Sequence, residues 1–211
     1  MNESDLRAYA ALLLEVGLGF VPGKDLAINA LIEHAPLARV LCDEAYRRGA
    51  SLVDVWYWDP HTKRSRLSYA PSETLGRVPA WLDARYRDLG ERHGALVNIV
   101  GDPAPDLLRD VDPARAGLDR MPGLASRFAV QAQGLVEWTF ACYPTAAWAE
   151  RVLGRPEAVE LWSHLRRILR LDAPDPAAAW GERMATLQAR CDQLNALRFD
   201  ALHFAGPGTD L

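Results

Sequence analysis

The sequence has few cysteines, little excess charge of either sign and no long apolar run. Its three cysteines are an odd, widely spaced set, which is typical of thiols in a reducing compartment rather than of a disulfide framework. A net charge of −4 over 211 residues lacks the basic excess that nucleic-acid binding needs. No apolar run reaches the roughly 18 residues of a membrane span, and the polar, acidic residues 1–5 are unlike a secretory signal. We therefore expect a cytoplasmic protein with neither nucleic acid nor a membrane as partner.

The sequence also lacks the short motifs that usually identify an enzyme. It contains no His-Glu-x-x-His pair, no Cys-x-x-Cys pair, no phosphate loop and no Gly-x-Ser-x-Gly elbow. Gly17-Leu18-Gly19, followed by Gly23, precedes a predicted strand, whereas the dinucleotide fingerprint follows one. A nucleotide-binding α/β enzyme is an alternative that these absences disfavour.

Five segments are predicted as β-strands because they are rich in apolar and β-branched residues and end at turn residues. The strongest covers residues 52–58 and ends at Asp59-Pro60. The last covers residues 199–204, alternates apolar and polar residues, and is followed by the turn Gly206-Pro207-Gly208. The other three strands are predicted over residues 25–30, 95–100 and 135–142.

Helical periodicity and capping residues predict helices between these strands. The longest begins at the capping pair Asp175-Pro176. It carries an apolar seam with spacings of four and three, which suits packing against a partner helix or a sheet edge. This seam consists of Trp180, Met184, Leu187, Cys191 and Leu194. The other helices are predicted over residues 4–16 (capped by Ser4), 33–48, 79–92, 113–133 with a break near Pro122-Gly123, 146–153 (capped by Thr145) and 157–171, with short helices over 60–78.

The order of these elements predicts the fold class. Connections of a dozen or more residues between strands favour parallel pairing, because a parallel pair needs a crossover. We therefore predict an α/β fold with a mostly parallel sheet of about five strands and helices on both faces, in three layers. Residues 1–205 are predicted to form one α/β domain. Residues 206–211 are predicted to begin the junction to a further domain outside this chain, because the turn there opens a new segment.

Histidines near carboxylates offer few candidate sites. The close pairs Glu33-His34 and Glu91-x-His93 lie at predicted helix ends, where an imidazole is usually solvated or paired with the helix dipole. His203 lies near Asp200 in the last predicted strand, and strand ends contribute to sites in open α/β sheets. A structural role is nevertheless the favoured interpretation for all of these histidines.

Four aspartates resemble an acidic metal cluster: Asp102, Asp106, Asp110 and Asp112. The prolines that interrupt and follow them favour a solvated loop and a helix cap instead. We therefore assign no catalytic residue and no metal ligand to this chain, and the pattern identifies no particular residue for substrate binding, which stays an open question. His203, Asp200 and Asp210 are the first residues to reconsider if the chain proves active.

Several short segments occur in the order found in one enzyme family. The best matches are residues 199–204 and the closing Gly206-Pro207-Gly208-Thr209-Asp210-Leu211. The others are Val16-Gly17-Leu18 with Pro22-Gly23, Ala35-Pro36-Leu37-Ala38-Arg39, Ala45-Tyr46 with Gly49-Ala50, Trp58-Asp59, Ala70-Pro71, Val78-Pro79-x-Trp81, Gly101-Asp102-Pro103, Tyr143-Pro144-Thr145 with Trp148-Ala149, Asp175-Pro176 with Ala179-Trp180, and Leu194-Asn195. From about residue 8 to the last residue, the chain resembles the N-terminal domain of the thermophilic aminopeptidases, the aminopeptidase T and aminopeptidase S family of two-metal peptidases.

This resemblance implies a dimeric, cytoplasmic enzyme about twice as long, which removes N-terminal residues from peptides with two divalent ions, zinc or cobalt. It also implies that the Glu, His, Tyr and Asp metal ligands lie in the second, catalytic domain, so that this chain is a non-catalytic half, inactive alone and without bound metal. Such a metal pair polarises the scissile carbonyl and lowers the pKa of a bridging water, which leaves this half to shape the cleft, limit access or support the dimer. The alternative is a free-standing interaction or ligand-binding α/β module that uses the seam at residues 180–194 to meet a partner.

Overall fold

The computed structural model describes residues 1–211, apart from the side chain of Leu124. At its centre is a four-stranded sheet in the order β2–β1–β3–β4. Every neighbouring pair in this sheet is parallel. The predicted α/β class is therefore confirmed, with one strand fewer in the sheet than expected. The strands are β1 (Asp25–Leu31), β2 (Leu52–Trp58), β3 (Ala95–Val100) and β4 (Glu137–Cys142).

The helices lie close to their predicted positions. Within the described residues, no helix is both long and apolar enough to traverse a bilayer. The α-helices are α1 (Glu3–Leu12), α2 (Ala35–Arg47), α3 (Pro60–Tyr69), α4 (Ala80–Glu91), α5 (Pro113–Leu118), α6 (Leu124–Ala132), α7 (Ala146–Leu153), α8 (Ala158–Ile168) and α9 (Pro176–Ala196). A π-helix (Leu13–Gly17) extends α1, and short 3-10 helices cover Ile32–His34 and Ser72–Thr74.

Side-chain caps begin several of these helices. The hydroxyl of Thr145 accepts a hydrogen bond from the amide of Trp148 at 3.2 Å, and Asp175 accepts one from the amide of Ala178 at 2.9 Å, so both predicted caps are confirmed. The predicted Ser4 cap of the first helix is wrong. Asn2 caps α1 instead, because the helix begins at Glu3 and places the amide of Asp5 2.8 Å from the Asn2 side-chain oxygen.

The predicted strand over residues 199–204 is also wrong. Those residues form no strand, and a two-residue antiparallel hairpin follows them, made of β5 (Ala205–Gly206) and β6 (Thr209–Asp210). Alternating apolar residues favour a strand where one face packs on a core. The side chains of Phe199, Leu202 and Phe204 are instead 54%, 60% and 61% exposed, so this segment receives no stabilisation from such packing.

Two apolar cores lie on opposite faces of the sheet, because successive side chains of a strand point to opposite sides. Leu26 and Ile28 of β1 pack into the core that includes residues of α1, α2 and α8. Ala27 of β1 and Leu96 of β3 pack into the second core, with α4 and α6. Full burial of one large apolar side chain contributes about 1.5–3 kcal/mol, and both cores contain several. The predicted three-layer arrangement is therefore confirmed.

The strand order creates a crevice at one end of the sheet. The chain leaves β1 through α2, on one face, to form β2, and then passes through α3 and α4 to reach β3 on the other side of β1. The connections thus diverge between β1 and β3. In open α/β sheets the carboxyl ends of the strands at such a switch point are the usual location of a ligand site.

Candidate functional site

A polar cluster lies where β1 and β3 end. Asn29 and Asn98 are register partners on these two strands, and the side-chain amide of Asn29 donates to Oδ1 of Asn98 at 2.9 Å. Asn29 lies two residues after Ala27, and Asn98 two residues after Leu96. Strand alternation therefore directs both amides to the face covered by α4 and α6.

Donors from α4 and α6 complete the cluster. Nη1 of Arg85 and the hydroxyl of Tyr86 donate to Oδ1 of Asn29, at 2.9 and 3.3 Å. Nη1 of Arg127 donates to Oδ1 of Asn98 at 3.1 Å. Because guanidinium groups only donate, these contacts assign the oxygen and nitrogen of both amides.

Three N–H-bearing atoms of this cluster are buried without an acceptor among the described residues. They are Nδ2 of Asn98, Nε of Arg127 and Nη2 of Arg85. Asn98 itself is only 3% exposed. Each buried donor without a partner costs roughly 1–3 kcal/mol, and native proteins contain few of them. Three within one connected cluster therefore distinguish this place from the rest of the sheet.

The two arginines of the cluster differ in their electrostatic surroundings. Arg85 forms an ion pair with Asp54 of β2, and its guanidinium carbon lies 5.9 Å from the ring centroid of Trp56. Arg127 forms no ion pair with any described residue, and its guanidinium carbon lies 4.9 Å from the ring centroid of Phe128. Burial lowers the pKa of Arg127 from its ordinary value, yet a guanidinium remains charged in proteins. The cluster therefore carries a positive charge that no carboxylate in the described part of the chain neutralises.

The cluster borders a cavity of about 200 Å³. Asn29, Asn98 and Arg127 provide its polar lining. Aromatic side chains form much of the remaining wall: Trp56, Trp58, Tyr86 and Phe140. Aromatic walls beside a guanidinium suit a ligand that joins an anionic group to an apolar group. The cavity therefore has the features of a small-molecule binding site.

Sequence reasoning did not identify this cluster, although a signal was present. Asn29 and Asn98 are each a polar residue between apolar neighbours, two residues before the last residue of the strand. A buried polar side chain needs a partner, so two such residues in adjacent parallel strands indicate a polar contact. The arginines could not be inferred in this way because they lie on α4 and α6, and only the packing of these helices on the sheet brings them to the strand ends.

His34 does not lie where the sequence pattern indicates. The expectation of a solvated or dipole-paired imidazole is wrong for this residue, which is completely buried. Its Nδ1 accepts a hydrogen bond from the amide of Leu31 at 3.2 Å, and its Nε2 hydrogen-bonds to the carbonyl oxygen of Gly101 at 2.9 Å. The physical reason is that the 3-10 helix follows β1 directly and turns the His34 ring inward, toward the end of β3, while Ile32 and Glu33 stay exposed. His93, in contrast, is exposed in the turn after α4 and borders a surface pocket of about 570 Å³ together with Glu91.

The four aspartates make separate contacts. Asp102 accepts from the amide of Ala104 at 2.8 Å, and Asp112 caps α5 by accepting from the amide of Ala114 at 2.9 Å. The other two form ion pairs, Asp106 with Arg151 at 2.6 Å and Asp110 with Arg64 at 2.5 Å. The carboxylates are thus engaged with four different partners.

The histidine near the end of the chain contacts Asp210 rather than Asp200. The imidazole of His203 hydrogen-bonds to the carboxylate of Asp210 beside the hairpin, and both side chains are largely exposed. The amides of Phe204 and Leu211 donate to each other's carbonyl oxygens at 3.0 and 3.1 Å, which extends this pairing. Over the residues whose side chains are described, no three His, Cys, Asp or Glu residues are grouped so that they could hold a metal ion.

Comparison with known proteins identifies relatives over almost the whole chain. The chain is 37% identical to aminopeptidase T of Thermus thermophilus and 36% identical to aminopeptidase 2 of Geobacillus stearothermophilus, covering 98% of this chain in each case. It covers 52% and 51% of those proteins. The chain therefore spans about half the length of the curated relatives it matches.

A solved structure and a family model agree with these relatives. The fold matches wild-type AmpT from Thermus thermophilus with a TM-score of 0.84 and 31% sequence identity, over 99% of this chain and 52% of that one. The model of the family described as thermophilic metalloprotease (M29) matches residues 2–211. These matches cover the sheet, its helices and the terminal hairpin, and they confirm the resemblance noted in the sequence. The chain therefore belongs to the M29 family of thermophilic metalloproteases.

Proposed function

We propose that this chain is the N-terminal, non-catalytic half of a two-metal aminopeptidase that removes N-terminal residues from peptides. The observation that carries the proposal is the extent of the match. The family model spans residues 2–211, whereas relatives named aminopeptidases are about twice as long. We assign residues 1–205 to the α/β domain and residues 206–211 to the start of the junction with a catalytic domain outside this chain.

Among the side chains that the structure describes, no three His, Cys, Asp or Glu residues are grouped so that they could hold a metal ion. A protein site for such ions needs several carboxylate or imidazole ligands that converge within about 2.0–2.2 Å of the metal. Here Asp106 and Asp110 form ion pairs with arginines, and Asp102 and Asp112 accept hydrogen bonds from backbone amides. Both ring nitrogens of His34 are hydrogen-bonded to backbone groups, of Leu31 and Gly101. We therefore assign the metal pair, zinc or cobalt, to the catalytic domain.

The exposed end of the chain provides the surface for that domain. The indole N–H of Trp180 donates to the carbonyl oxygen of Leu169 at 2.9 Å, which anchors the start of α9. Farther along α9, the seam residues Met184 and Leu194 are 55% and 58% exposed. A row of exposed apolar residues usually marks an interaction surface. We assign the seam, together with Phe199 and the residues after it, to the contact with the catalytic domain.

We further propose a cytoplasmic homodimer. The cysteines Cys42, Cys142 and Cys191 are free thiols, which are stable in a reducing compartment. Analytical ultracentrifugation of the protein encoded by the whole gene tests the dimer. The measured mass should be twice that of one chain.

The test of the non-catalytic assignment is hydrolysis of leucine p-nitroanilide by this purified chain with added cobalt or zinc, alongside analysis of bound metal. We expect no turnover above the metal-only blank and no stoichiometric metal. Aminopeptidase T of Thermus thermophilus, assayed in parallel, verifies that the conditions support this reaction. Metal-dependent turnover by this chain would contradict the proposal, and loss of that turnover in Asp210→Asn or His203→Ala would then locate the site.

A free-standing interaction module is a second candidate, because the same exposed seam would serve an independent partner. The reading frame of the gene beyond the codon for Leu211 distinguishes the two candidates. A reading frame that continues into a segment rich in Glu, His and Asp ligands supports the aminopeptidase. A stop codon directly after Leu211 supports the module.

A further inference from the structure

We propose that the cavity bordered by Asn29, Asn98 and Arg127 binds a single carboxylate attached to an aromatic or apolar residue. The shared chemistry is that of an α-carboxylate, supplied by a free amino acid or by the C-terminus of a peptide. This site lies entirely within the chain and involves none of the expected metal ligands. The inference therefore goes beyond the proposed function and does not depend on it.

The donors of the cavity lack the acceptor that a carboxylate provides. Nδ2 of Asn98 and Nε of Arg127 belong to side chains that line the cavity, and neither has an acceptor among the described residues. Their other polar contacts lie within the cluster, because Oδ1 of Asn98 accepts from Nη1 of Arg127 and from the side-chain amide of Asn29. Two oxygens in one plane match a guanidinium edge, and charge-assisted hydrogen bonds of this kind are about twice as strong as neutral ones.

The charge balance also favours an anion. Asp54 offsets the charge of Arg85, whereas Arg127 forms no ion pair within the described structure. The ring of Phe128 contacts its guanidinium but brings no formal charge. A partly buried cation is stabilised by a counter-ion that also satisfies its hydrogen bonds. One carboxylate supplies both.

The size and walls of the cavity limit what the carboxylate is attached to. At about 200 Å³ the cavity is smaller than the roughly 300–1,000 Å³ of pockets for drug-sized molecules. It therefore accommodates a group the size of one amino-acid residue and is too small for a nucleotide. Trp58 and Phe140 present aromatic surface to the body of that residue.

The position of the cavity makes it a rigid site. Both asparagines lie on central strands of the sheet at the point where the connections diverge. Side chains held by strands and by their own hydrogen bonds keep their geometry better than side chains on loops. The asparagines, and Arg127 through its hydrogen bond to Asn98, are thus held in place before a ligand arrives, which reduces the entropy cost of binding.

Calorimetric titration of this chain with three compounds tests the proposal. The probes are N-acetyl-L-phenylalanine, L-phenylalanine and N-acetyl-L-phenylalaninamide. We expect saturable binding of N-acetyl-L-phenylalanine and at least about tenfold weaker binding of the amide, which lacks the carboxylate charge. If L-phenylalanine binds as tightly as its N-acetyl form, the site accepts free amino acids; if only the N-acetyl form binds, the site accepts peptide C-termini. Both outcomes support the carboxylate site.

Variants locate the binding in the cavity. Arg127→Gln should weaken the binding of N-acetyl-L-phenylalanine at least about tenfold without affecting the amide. Arg190→Gln, an exposed residue of α9, is the matched control and should bind like the unaltered chain. Phe140→Ala removes a half-exposed wall residue and should also weaken binding. It gives a second test if Arg127→Gln fails to fold.

Three results would overturn the proposal. The first is no saturable binding of N-acetyl-L-phenylalanine up to roughly 10 mM, a concentration that detects millimolar affinity. The second is equal affinity for the acid and its amide. The third is competition by inorganic phosphate as strong as by the carboxylate, which would indicate a site for any anion.

Discussion

The imidazole of His34 joins the ends of β1 and β3, because its Nε2 lies 2.9 Å from the carbonyl oxygen of Gly101. Its Nδ1 accepts from the amide of Leu31, so the neutral ring carries its proton on Nε2 and donates it to Gly101. The two strand ends that frame the polar cavity are thus held together by a buried side chain. This contact leads to two predictions.

Replacing His34 should destabilise the protein. His34→Leu leaves the amide of Leu31 and the carbonyl of Gly101 without their partner, and one such loss costs about 1–3 kcal/mol. Because two groups lose their partner, we expect urea unfolding to show a decrease of at least about that size in the free energy of unfolding. His61→Gln, at an exposed position of α3, is the control and should leave the unfolding midpoint unchanged. An unchanged midpoint in His34→Leu would show that the contact contributes nothing to stability.

The stability of the protein should also depend on pH through His34. Burial lowers the pKa of this imidazole below its ordinary value of 6.5, and this outweighs the opposite effects of the Gly101 hydrogen bond and of Glu33 and Asp102. Below about pH 6.5 the unfolded chain binds a proton that the folded protein does not. The free energy of unfolding should therefore fall as the pH drops below 6.5, and should be insensitive to this group at higher pH.

Comparison with the variant isolates this contribution. The difference in free energy of unfolding between the unaltered chain and His34→Leu, measured from pH 8 down to pH 5, should decrease once the pH passes below about 6.5. A difference that stays constant over this range would show that the imidazole is protonated equally in both states.

Gly101 is a position where only glycine fits. Its φ of +145° is unfavourable for other residues, and a Cβ atom there would lie 1.9 Å from the carbonyl oxygen of Tyr143. Gly101→Ala should reduce the free energy of unfolding by about 2 kcal/mol or more, because strain and overlap each cost about 1–3 kcal/mol. Gly117→Ala is the control, since a Cβ in this exposed helix meets nothing within 4 Å. Helix propensity should make that control neutral or slightly more stable. Equal thermal midpoints for the two variants would contradict this account.

The outer part of α9 should open more readily than the sheet. Its residues beyond Leu187 are exposed, whereas Leu96 and Val97 of β3 are fully buried. Amides there should exchange with deuterium at least about 100-fold faster than those of β3, because local opening costs less than global unfolding. Hydrogen exchange measured at two protein concentrations is the control, because it separates stabilisation within the monomer from stabilisation by association. Protection that equals β3 at both concentrations would mean that this helix is stabilised within the monomer.

Local patterns were sufficient for most of the secondary structure. The strands at residues 25–30, 52–58 and 95–100 are confirmed because each is a run of residues suited to a buried strand and is bounded by turn residues. The break near Pro122 is likewise present, between α5 and α6. Parallel pairing followed from the length of the connections, since a short connection cannot join parallel strands.

Errors arose where a local pattern depends on its surroundings. Residues 199–204 alternate as a strand does, yet a strand needs a surface on which to pack, and Phe199, Leu202 and Phe204 stay more than half exposed. Backbone pairing with Leu211 reaches this segment at its last residue, Phe204. His34 has the local sequence of an exposed helix start, yet its ring is buried between the ends of β1 and β3. A short segment of sequence specifies neither the packing surface that residues 199–204 would need nor the burial of His34.

The sequence by itself determined the α/β class, the positions of the main helices and strands, and the family, because these depend on periodicity, turn chemistry and ordered motifs along the chain. Only the tertiary structure determined which residues come together around the polar cavity. Asn29 and Asn98 are 69 residues apart, and they meet only because β1 and β3 become neighbours in register. Arg127 reaches them from a helix that packs on the same face. Strand order and helix packing are properties of the whole fold, and they determine which distant polar groups share a buried space.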